Sequence, residues 1–165
     1  MKRIPLSLFT FLFLLSGLCA APTKTVWQIG EKNHSASELA LSPDKYKEFL
    51  ANDFGWEDRF YIIGLSSPQK DFPYVLPGPA DHWGGTSYTA GIRTHVLNIL
   101  FGMKEVPETD SWKLIIDLLD THHELPALFK ITINGKSWKY ALPKGSGKSI
   151  DGDYSQIKPH TIEIP

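Results

Sequence analysis

The segment "LFKITINGKSWKYAL", residues 128–142, constrains the fold of this chain more than any other. On both sides of its central Asn134-Gly135, large apolar residues alternate with polar ones. The apolar positions are Phe129, Ile131, Ile133, Trp138, Tyr140 and Leu142. Because successive side chains of a strand point to opposite faces, this alternation predicts two strands, each with one dry and one wet face. Asn-Gly is a favoured two-residue turn, since both residues tolerate positive φ, and the segment therefore predicts a β-hairpin.

Further apolar segments, separated by turn residues, predict more strands. They are residues 25–30, 59–65, 93–103, 111–120 and 160–165. One short helix of two or three turns is predicted in "LSPDKYKEFL", residues 41–50. Ser42 can cap it, Pro43 suits the first helical position and Asp44 favours the positive end of the helix. The pattern contains no continuous βαβ unit. The sequence therefore predicts an all-β fold, an antiparallel β-sandwich with one short helix.

Two strands carry further expectations about the core. Residues 111–120 are partly apolar on both faces, which is typical of a central strand with something covering its back. Ile162 and Ile164 occupy core-facing positions on a strand that stops at Pro165. A strand in that place needs neighbours, so we expect the chain to be a fragment of a longer protein, truncated at its C-terminal end.

The N-terminal residues predict export. A short basic start is followed by an apolar run over residues 4–18 and then by small residues. This order is typical of a secretory signal peptide, and we expect cleavage after Ala20. The apolar run is too short for a comfortable membrane span. Cys19 raises the alternative of a lipoprotein, which the bulky Leu18 disfavours. The protein is therefore expected to be secreted or periplasmic, with a signal peptide over residues 1–20.

The predicted mature chain, residues 21–165, is long enough for one domain with a real core. It loses the only cysteine, which excludes a disulfide framework and a cysteine nucleophile. It also loses two of the 17 Lys and Arg side chains, so that 15 basic side chains stand against 18 acidic ones and the net charge is −3. That balance disfavours nucleic acid as a partner, because phosphate binding requires a basic face.

Three short motifs suggest ligand chemistry but favour simpler interpretations. "GSGKS", residues 145–149, lacks the earlier glycine of a phosphate-binding loop, since Leu142 stands in its place, and it is interpreted as a flexible loop. His122-His123-Glu124 is interpreted as a solvated loop rather than a metal site. Asp151 and Asp153 resemble the start of a calcium loop, but the rest of that loop is missing and a turn is favoured. No cofactor is predicted, although a structural calcium ion held by distant loops stays open.

The segment "DFPYVLPGPADHWGGTSYTAG", residues 71–91, holds large aromatic residues among prolines and glycines. A sugar ring has an apolar face and a polar rim, which a Trp or Tyr platform and nearby charged or amide groups can match. The candidate carbohydrate-binding residues are Asp81, His82, Trp83, Tyr88 and Arg93. The competing interpretation is that aromatic residues of this loop fold inward and seal an end of the sandwich. We expect both roles, with Tyr74 anchored inward and Trp83 at least partly accessible.

A catalytic hypothesis uses the same region. A lyase that cleaves acidic polysaccharides needs a base near C5 of the sugar and a cation that neutralises the uronate. Tyr88, His82 or His95 are candidate bases and Arg93 is a candidate neutralising group, but the spacing selects none of them. The sequence also contains no conspicuous pair of carboxylates for hydrolysis.

Several motifs together resemble a known family. They are "VWQIG", "YIIGLS", "DFPYVLPGP", "THVLNILFGM" and "LIIDLLDTHHELPALFKITINGKSW". Over nearly the whole predicted mature chain, the sequence resembles the jelly-roll, carbohydrate-binding-like module of rhamnogalacturonan-lyase-type polysaccharide lyases. The resemblance implies a non-catalytic role, with lyase activity in a separate catalytic region of a longer parent.

The leading hypothesis is a secreted, non-catalytic β-sandwich module. It would bind or position acidic polysaccharide of the pectin or rhamnogalacturonan type for an attached lyase region. Its expected partners are a polysaccharide or oligosaccharide and the catalytic domain of the parent, without nucleic acid and without a membrane span. One alternative is a polysaccharide lyase that acts by β-elimination in its own right. Another is a structural sandwich domain that has no ligand.

Overall fold

The computed structural model describes residues 24–45, 48, 59–76, 96–105 and 112–165. The strands in these ranges are β1 (Arg59–Ile62), β2 (Leu97–Leu100), β3 (Leu114–Leu118), β4 (Leu128–Ile133), β5 (Lys136–Ala141) and β6 (His160–Ile164). A one-turn helix, α1 (Pro68–Asp71), and a short 3-10 helix, Ser149–Asp151, accompany them. The predicted all-β class is therefore confirmed.

The predicted hairpin is confirmed in its register and its turn. β4 and β5 pair antiparallel, from Leu128 opposite Ala141 to Ile133 opposite Lys136. The two turn residues both have positive φ, 48° at Asn134 and 84° at Gly135. This is the backbone that two-residue hairpins favour, because its twist matches that of the flanking strands.

The core lies between the hairpin and a second antiparallel pair. β3 pairs with β6, with Ile116 opposite Ile162 and Leu114 opposite Ile164. Ile162 and Ile164 are 2 % and 1 % exposed, and they pack with Ile131 of β4. Around them lie the partly buried Leu114, Ile116, Leu118, Phe129, Ile133, Trp138, Tyr140 and Leu142. The core-facing positions predicted for the last strand are therefore confirmed, and each isoleucine contributes about 1.5–3 kcal/mol by its burial.

The β1–β2 pair differs from the antiparallel expectation. β1 and β2 pair in parallel, from Arg59 opposite Leu97 to Ile62 opposite Leu100. Parallel neighbours require a crossover connection of about a dozen residues or more, which the long segment between Ile62 and Leu97 provides. Local alternation predicts that a segment is a strand, but it carries no information about the direction of the partner strand.

The helical elements also differ from the prediction. Residues 41–44 form a turn in which Leu41 has a φ of 64°, so the predicted helix does not begin at Pro43. Of the rest of that predicted helix, only Lys45 and the helical Glu48 are described. The helix α1 instead has Pro68 at its first position, and the Asp71 carboxylate accepts a 2.7 Å hydrogen bond from the Ser67 amide.

Residues 25–30 do not form the predicted strand. No ladder joins them to another described strand, and the Trp27 ring lies 5.3 Å from the Phe101 ring. Part of the cover expected on the back of β3 is a polar contact. Lys32 donates a 2.8 Å hydrogen bond to Asp117, which also accepts one from Thr161 on β6.

The helices of the described residues are too short or too polar to cross a membrane.

Candidate functional site

The five predicted carbohydrate-binding residues lie outside the described residues, as does the candidate base His95. They are Asp81, His82, Trp83, Tyr88 and Arg93. Tyr74 from the same loop is described. It is half-buried, and its hydroxyl donates a 2.7 Å hydrogen bond to the carbonyl oxygen of Ile150. The expectation that Tyr74 anchors the loop is therefore confirmed, while the sugar-binding set stays a prediction.

A loop that wraps a carboxylate is the most organised polar feature among the described residues. Asp120, just after β3, accepts hydrogen bonds from the Ser146 amide at 2.8 Å and the Ser146 hydroxyl at 2.5 Å. The amides of Lys148 and Lys158 also donate to it, at 3.2 and 3.4 Å. The "GSGKS" segment, interpreted from the sequence as a flexible loop, thus forms an anion cradle, and the anion is an internal carboxylate.

The cradle determines the protonation state of Asp120. Burial by itself would raise the pKa of this carboxyl group. The hydrogen bonds from the Ser146 side chain and amide, and from the amides of Thr121 and Lys158, outweigh burial and hold the pKa of Asp120 below its ordinary value. Asp120 is therefore ionised at neutral pH and serves as the fixed centre of the loop.

Gly145 permits the close approach that the cradle requires. A Cβ atom at Gly145 would collide with the backbone of Thr121 and with the Asp120 carboxylate. Two backbone hydrogen bonds join this loop to the segment after Asp120. The Gly145 amide donates to the His122 carbonyl at 3.3 Å, and the Gly147 amide donates to the Thr121 carbonyl at 3.1 Å. The loop interpretation of "GSGKS" is confirmed, but these contacts hold it in place and contradict its predicted flexibility.

The two adjacent histidines have different roles. The Nδ1 atom of His122 accepts hydrogen bonds from the amides of Glu124 and Leu125, at 3.1 and 3.0 Å. An accepting Nδ1 carries no proton, so this ring holds its proton on Nε2. The His123 ring stacks on the His122 ring, with 4.6 Å between centroids, and is itself exposed. The loop interpretation is confirmed, and the His122 ring in addition stabilises the loop by accepting these two hydrogen bonds.

A polar pocket adjoins the cradle. Its volume is about 290 Å³, and its lining residues are His123, Ser146, Gly147, Lys148 and Asp151. This volume is at the lower end of the range for small-molecule sites, about 300–1,000 Å³. Asp151 and Lys148 are exposed charged groups of opposite sign, and the exposed His123 ring stacks on the His122 ring.

The pocket offers the groups that a sugar ring requires. A carboxylate accepts hydrogen bonds from sugar hydroxyls, an ammonium group donates to them or pairs with a uronate, and a flat ring packs against the apolar face of the sugar. The cradle holds Ser146 and the Lys148 backbone in place before any ligand arrives. The pocket is therefore the candidate glycan site of the described residues.

Sequence reasoning missed this pocket for an identifiable reason. The lining residues come from two segments, the loop at residues 122–124 and the loop at residues 145–151. These segments are joined by the Asp120 carboxylate and by the backbone hydrogen bonds from Gly145 and Gly147. Each segment is a motif of its own, and neither motif contains information about which distant segment it meets. The sequence signal that could have joined them is chemical complementarity. A loop rich in glycine and serine, residues 145–149, can donate backbone and hydroxyl hydrogen bonds to a carboxylate at the end of a strand, such as Asp120.

The metal hypotheses find no new support. Among the described residues, no group of three or more His, Cys, Asp or Glu side chains is placed to hold a metal ion. Asp153 instead accepts hydrogen bonds from the amide and hydroxyl of Ser155, at 2.9 and 2.5 Å, which is the turn that the sequence favoured. A calcium ion held with residues outside the described ranges stays open.

Comparison with known proteins gives one match. The model of a CBM-like domain, domain III of polysaccharide lyase family 4, matches residues 25–163. No curated protein and no solved structure matches the chain. The family match covers β1 to β5, β6 up to Glu163, and both loops of the polar pocket.

Proposed function

This chain belongs to the CBM-like domain III family of polysaccharide lyase family 4, and we propose that it binds acidic polysaccharide of the pectin or rhamnogalacturonan type. Membership of the family makes it a carbohydrate-binding or carbohydrate-associated module. The match over residues 25–163 is the single observation that carries the proposal. In this role the module is not catalytic, and its partners are a glycan and the catalytic region of a polysaccharide lyase.

The polar pocket is the proposed contact with the glycan. Lys148 pairs with a uronate carboxylate, Asp151 accepts hydrogen bonds from ring hydroxyls, and His123 packs against the apolar face of the same sugar. These roles follow from the charges and the exposure of the lining residues. The predicted set around Trp83 supplies further contacts in the same proposal, if it lies in an accessible part of its loop.

Calorimetric titration with rhamnogalacturonan oligosaccharides tests the proposal. Lys148→Ala and Asp151→Ala should each weaken binding by about 1 kcal/mol, the scale of one hydrogen bond or exposed ion pair. Lys144→Ala is the matched control, because Lys144 is exposed on the same loop but does not line the pocket. The absence of binding by the unmodified protein to any acidic or neutral pectin fragment would refute the proposal.

An assay for elimination separates this role from that of a lyase. The unsaturated uronate that β-elimination produces absorbs in the ultraviolet, so product formation can be followed directly. The proposal expects no increase in absorbance when the purified chain is incubated with rhamnogalacturonan. A steady increase that depends on enzyme concentration would favour the catalytic alternative instead.

We also propose that the protein is exported, secreted or periplasmic, with its signal peptide removed after Ala20. The basic, apolar and small residues in that order over residues 1–21 support export, and an extracellular location is where polymeric pectin is met. Mass spectrometry of the exported protein should find an N-terminus near Ala21. An exported protein that retains Met1, or one that carries a lipid on Cys19, would overturn the cleavage proposal.

A further inference from the structure

We propose that the exposed face of the β4–β5 hairpin is a second glycan contact, at which Lys130 and Lys139 together bind a uronate carboxylate. This inference rests on the proposed function and adds to it a place and a chemistry. It concerns a flat sheet face that is separate from the lining of the polar pocket.

The register of the hairpin places the two lysines opposite each other on the same face. Lys130 lies directly opposite Lys139 in the antiparallel ladder, and both side chains are exposed. Two positions along the same face, the hydroxyl groups of Thr132 and Ser137 are 2.7 Å apart. Directly opposite residues alternate between hydrogen-bonded and non-hydrogen-bonded pairs along an antiparallel ladder. The lysine pair, two positions away, is therefore of the same kind as the Thr132–Ser137 pair. Cβ atoms of directly opposite residues are about 4.5–5.5 Å apart.

Among the described residues, the lysine pair has no acidic partner of its own. The salt bridges between described residues join Lys32 with Asp117, Lys113 with Glu163 and His123 with Glu124, and none involves Lys130 or Lys139. Like charges directly opposite each other destabilise a sheet. The local excess of positive charge contrasts with the whole chain, whose net charge is −1. An anion placed between the two ammonium groups removes this repulsion.

The residues that flank the lysine pair select a carbohydrate as the source of the anion. On one side lies the Thr132–Ser137 hydroxyl pair, which can exchange hydrogen bonds with sugar hydroxyls. On the other side lies Leu128, opposite Ala141, with 66 % of its surface exposed. A uronic acid residue carries a carboxylate, hydroxyls and an apolar ring face, and it matches a strand face on which a cationic pair lies between an apolar and a hydroxyl pair.

The test compares binding of oligogalacturonate and of its methyl-esterified form, which lacks the negative charges. Lys130→Gln and Lys139→Gln should each weaken oligogalacturonate binding about three- to tenfold at low salt. They should leave binding of the ester unchanged, and the difference should fade as salt is added. Lys130→Arg, which keeps the charge, should restore most of the affinity. Lys104→Gln and Lys144→Gln are the matched controls, as both lysines are exposed and lie off this face.

Stability provides a second measurement that does not depend on a ligand. Removal of one lysine relieves repulsion, so Lys130→Gln should melt at the same temperature as the unmodified protein or higher. A lower melting temperature for Lys130→Gln, or loss of oligogalacturonate affinity no larger than in the two controls, would overturn the inference while leaving the proposed function intact. If the unmodified protein binds neither the acid nor the ester, the proposed function fails and the inference fails with it.

Discussion

Tyr74 and Ile150 are 76 positions apart in the sequence, and the Tyr74 hydroxyl donates a 2.7 Å hydrogen bond to the Ile150 carbonyl oxygen. The bond ties the start of the proline-rich loop to the 3-10 helix Ser149–Asp151, which adjoins the polar pocket. The amide of Tyr74 also donates to the Ala40 carbonyl at 3.3 Å, beside the bridge between Ala40 and Pro73. Tyr74 therefore connects three segments that are distant in sequence.

Removal of this hydroxyl should destabilise the protein. Tyr74→Phe keeps the ring but leaves the partly buried Ile150 carbonyl without its donor, so the free energy of unfolding should fall by about 1 kcal/mol. Tyr140→Phe is the matched control, because Tyr140 is also half-buried and its hydroxyl makes no hydrogen bond among the described residues. Urea unfolding curves measure both. Equal stability of the two variants would show that the bond contributes nothing.

The free energy of unfolding should depend on pH because of Asp120. Its pKa in the folded state lies below the ordinary value, so the ionised form stabilises the fold at pH values above the unfolded pKa of about 3.9. That stabilisation is lost as the pH falls through the lower, folded-state pKa. Asp120→Asn should lower the free energy of unfolding by about 1–3 kcal/mol at pH 7, because a neutral amide replaces a charged acceptor of several hydrogen bonds.

The difference between the unmodified protein and Asp120→Asn isolates this group from other carboxylates. It should be largest at neutral pH and shrink in acid, when measured by urea unfolding at a series of pH values. Asp151→Asn is the control, since the Asp151 carboxylate is exposed and accepts no hydrogen bond from a described residue. A difference that stays constant from pH 7 down to pH 2 would contradict the assignment.

We expect that the hairpin requires glycine at position 135 only because of the positive φ there. Its φ is 84°, and a Cβ atom there would have no neighbour within 4 Å. Gly135→Val should therefore destabilise the hairpin by about 1 kcal/mol or more through strain, since a β-branched residue is poor at positive φ. Gly102→Val is a close control, because Gly102 is equally open and lacks a positive φ. Thermal melting would contradict this explanation if both variants lost the same stability.

Trp83 stays a prediction that binding experiments can decide. On the sugar-binding hypothesis, Trp83→Ala should weaken glycan binding by about 1–3 kcal/mol and leave the fold intact. Titration calorimetry and thermal melting of this variant measure the two effects separately. If Trp83→Ala instead melts the protein and the remaining folded fraction binds glycan normally, Trp83 is a core residue.

The sequence by itself determined the elements whose information is local. The β4–β5 hairpin follows from alternation over six residues on each side and from a turn that only residues such as Asn134 and Gly135 adopt readily. The inward positions of Ile162 and Ile164 follow from the same period of two. Each of these features depends on neighbours within a few positions, where backbone geometry leaves few alternatives.

Only the tertiary structure decided the features that join distant segments. The parallel direction of β1 and β2, the binding of Asp120 by the loop at residues 145–148, and the bond from Tyr74 to Ile150 all depend on which segments meet. Lys130 and Lys139 each look like ordinary solvated strand residues until the register places one opposite the other. Such contacts arise because the fold buries its apolar faces together and then requires the nearby polar groups to find partners, which no local pattern specifies.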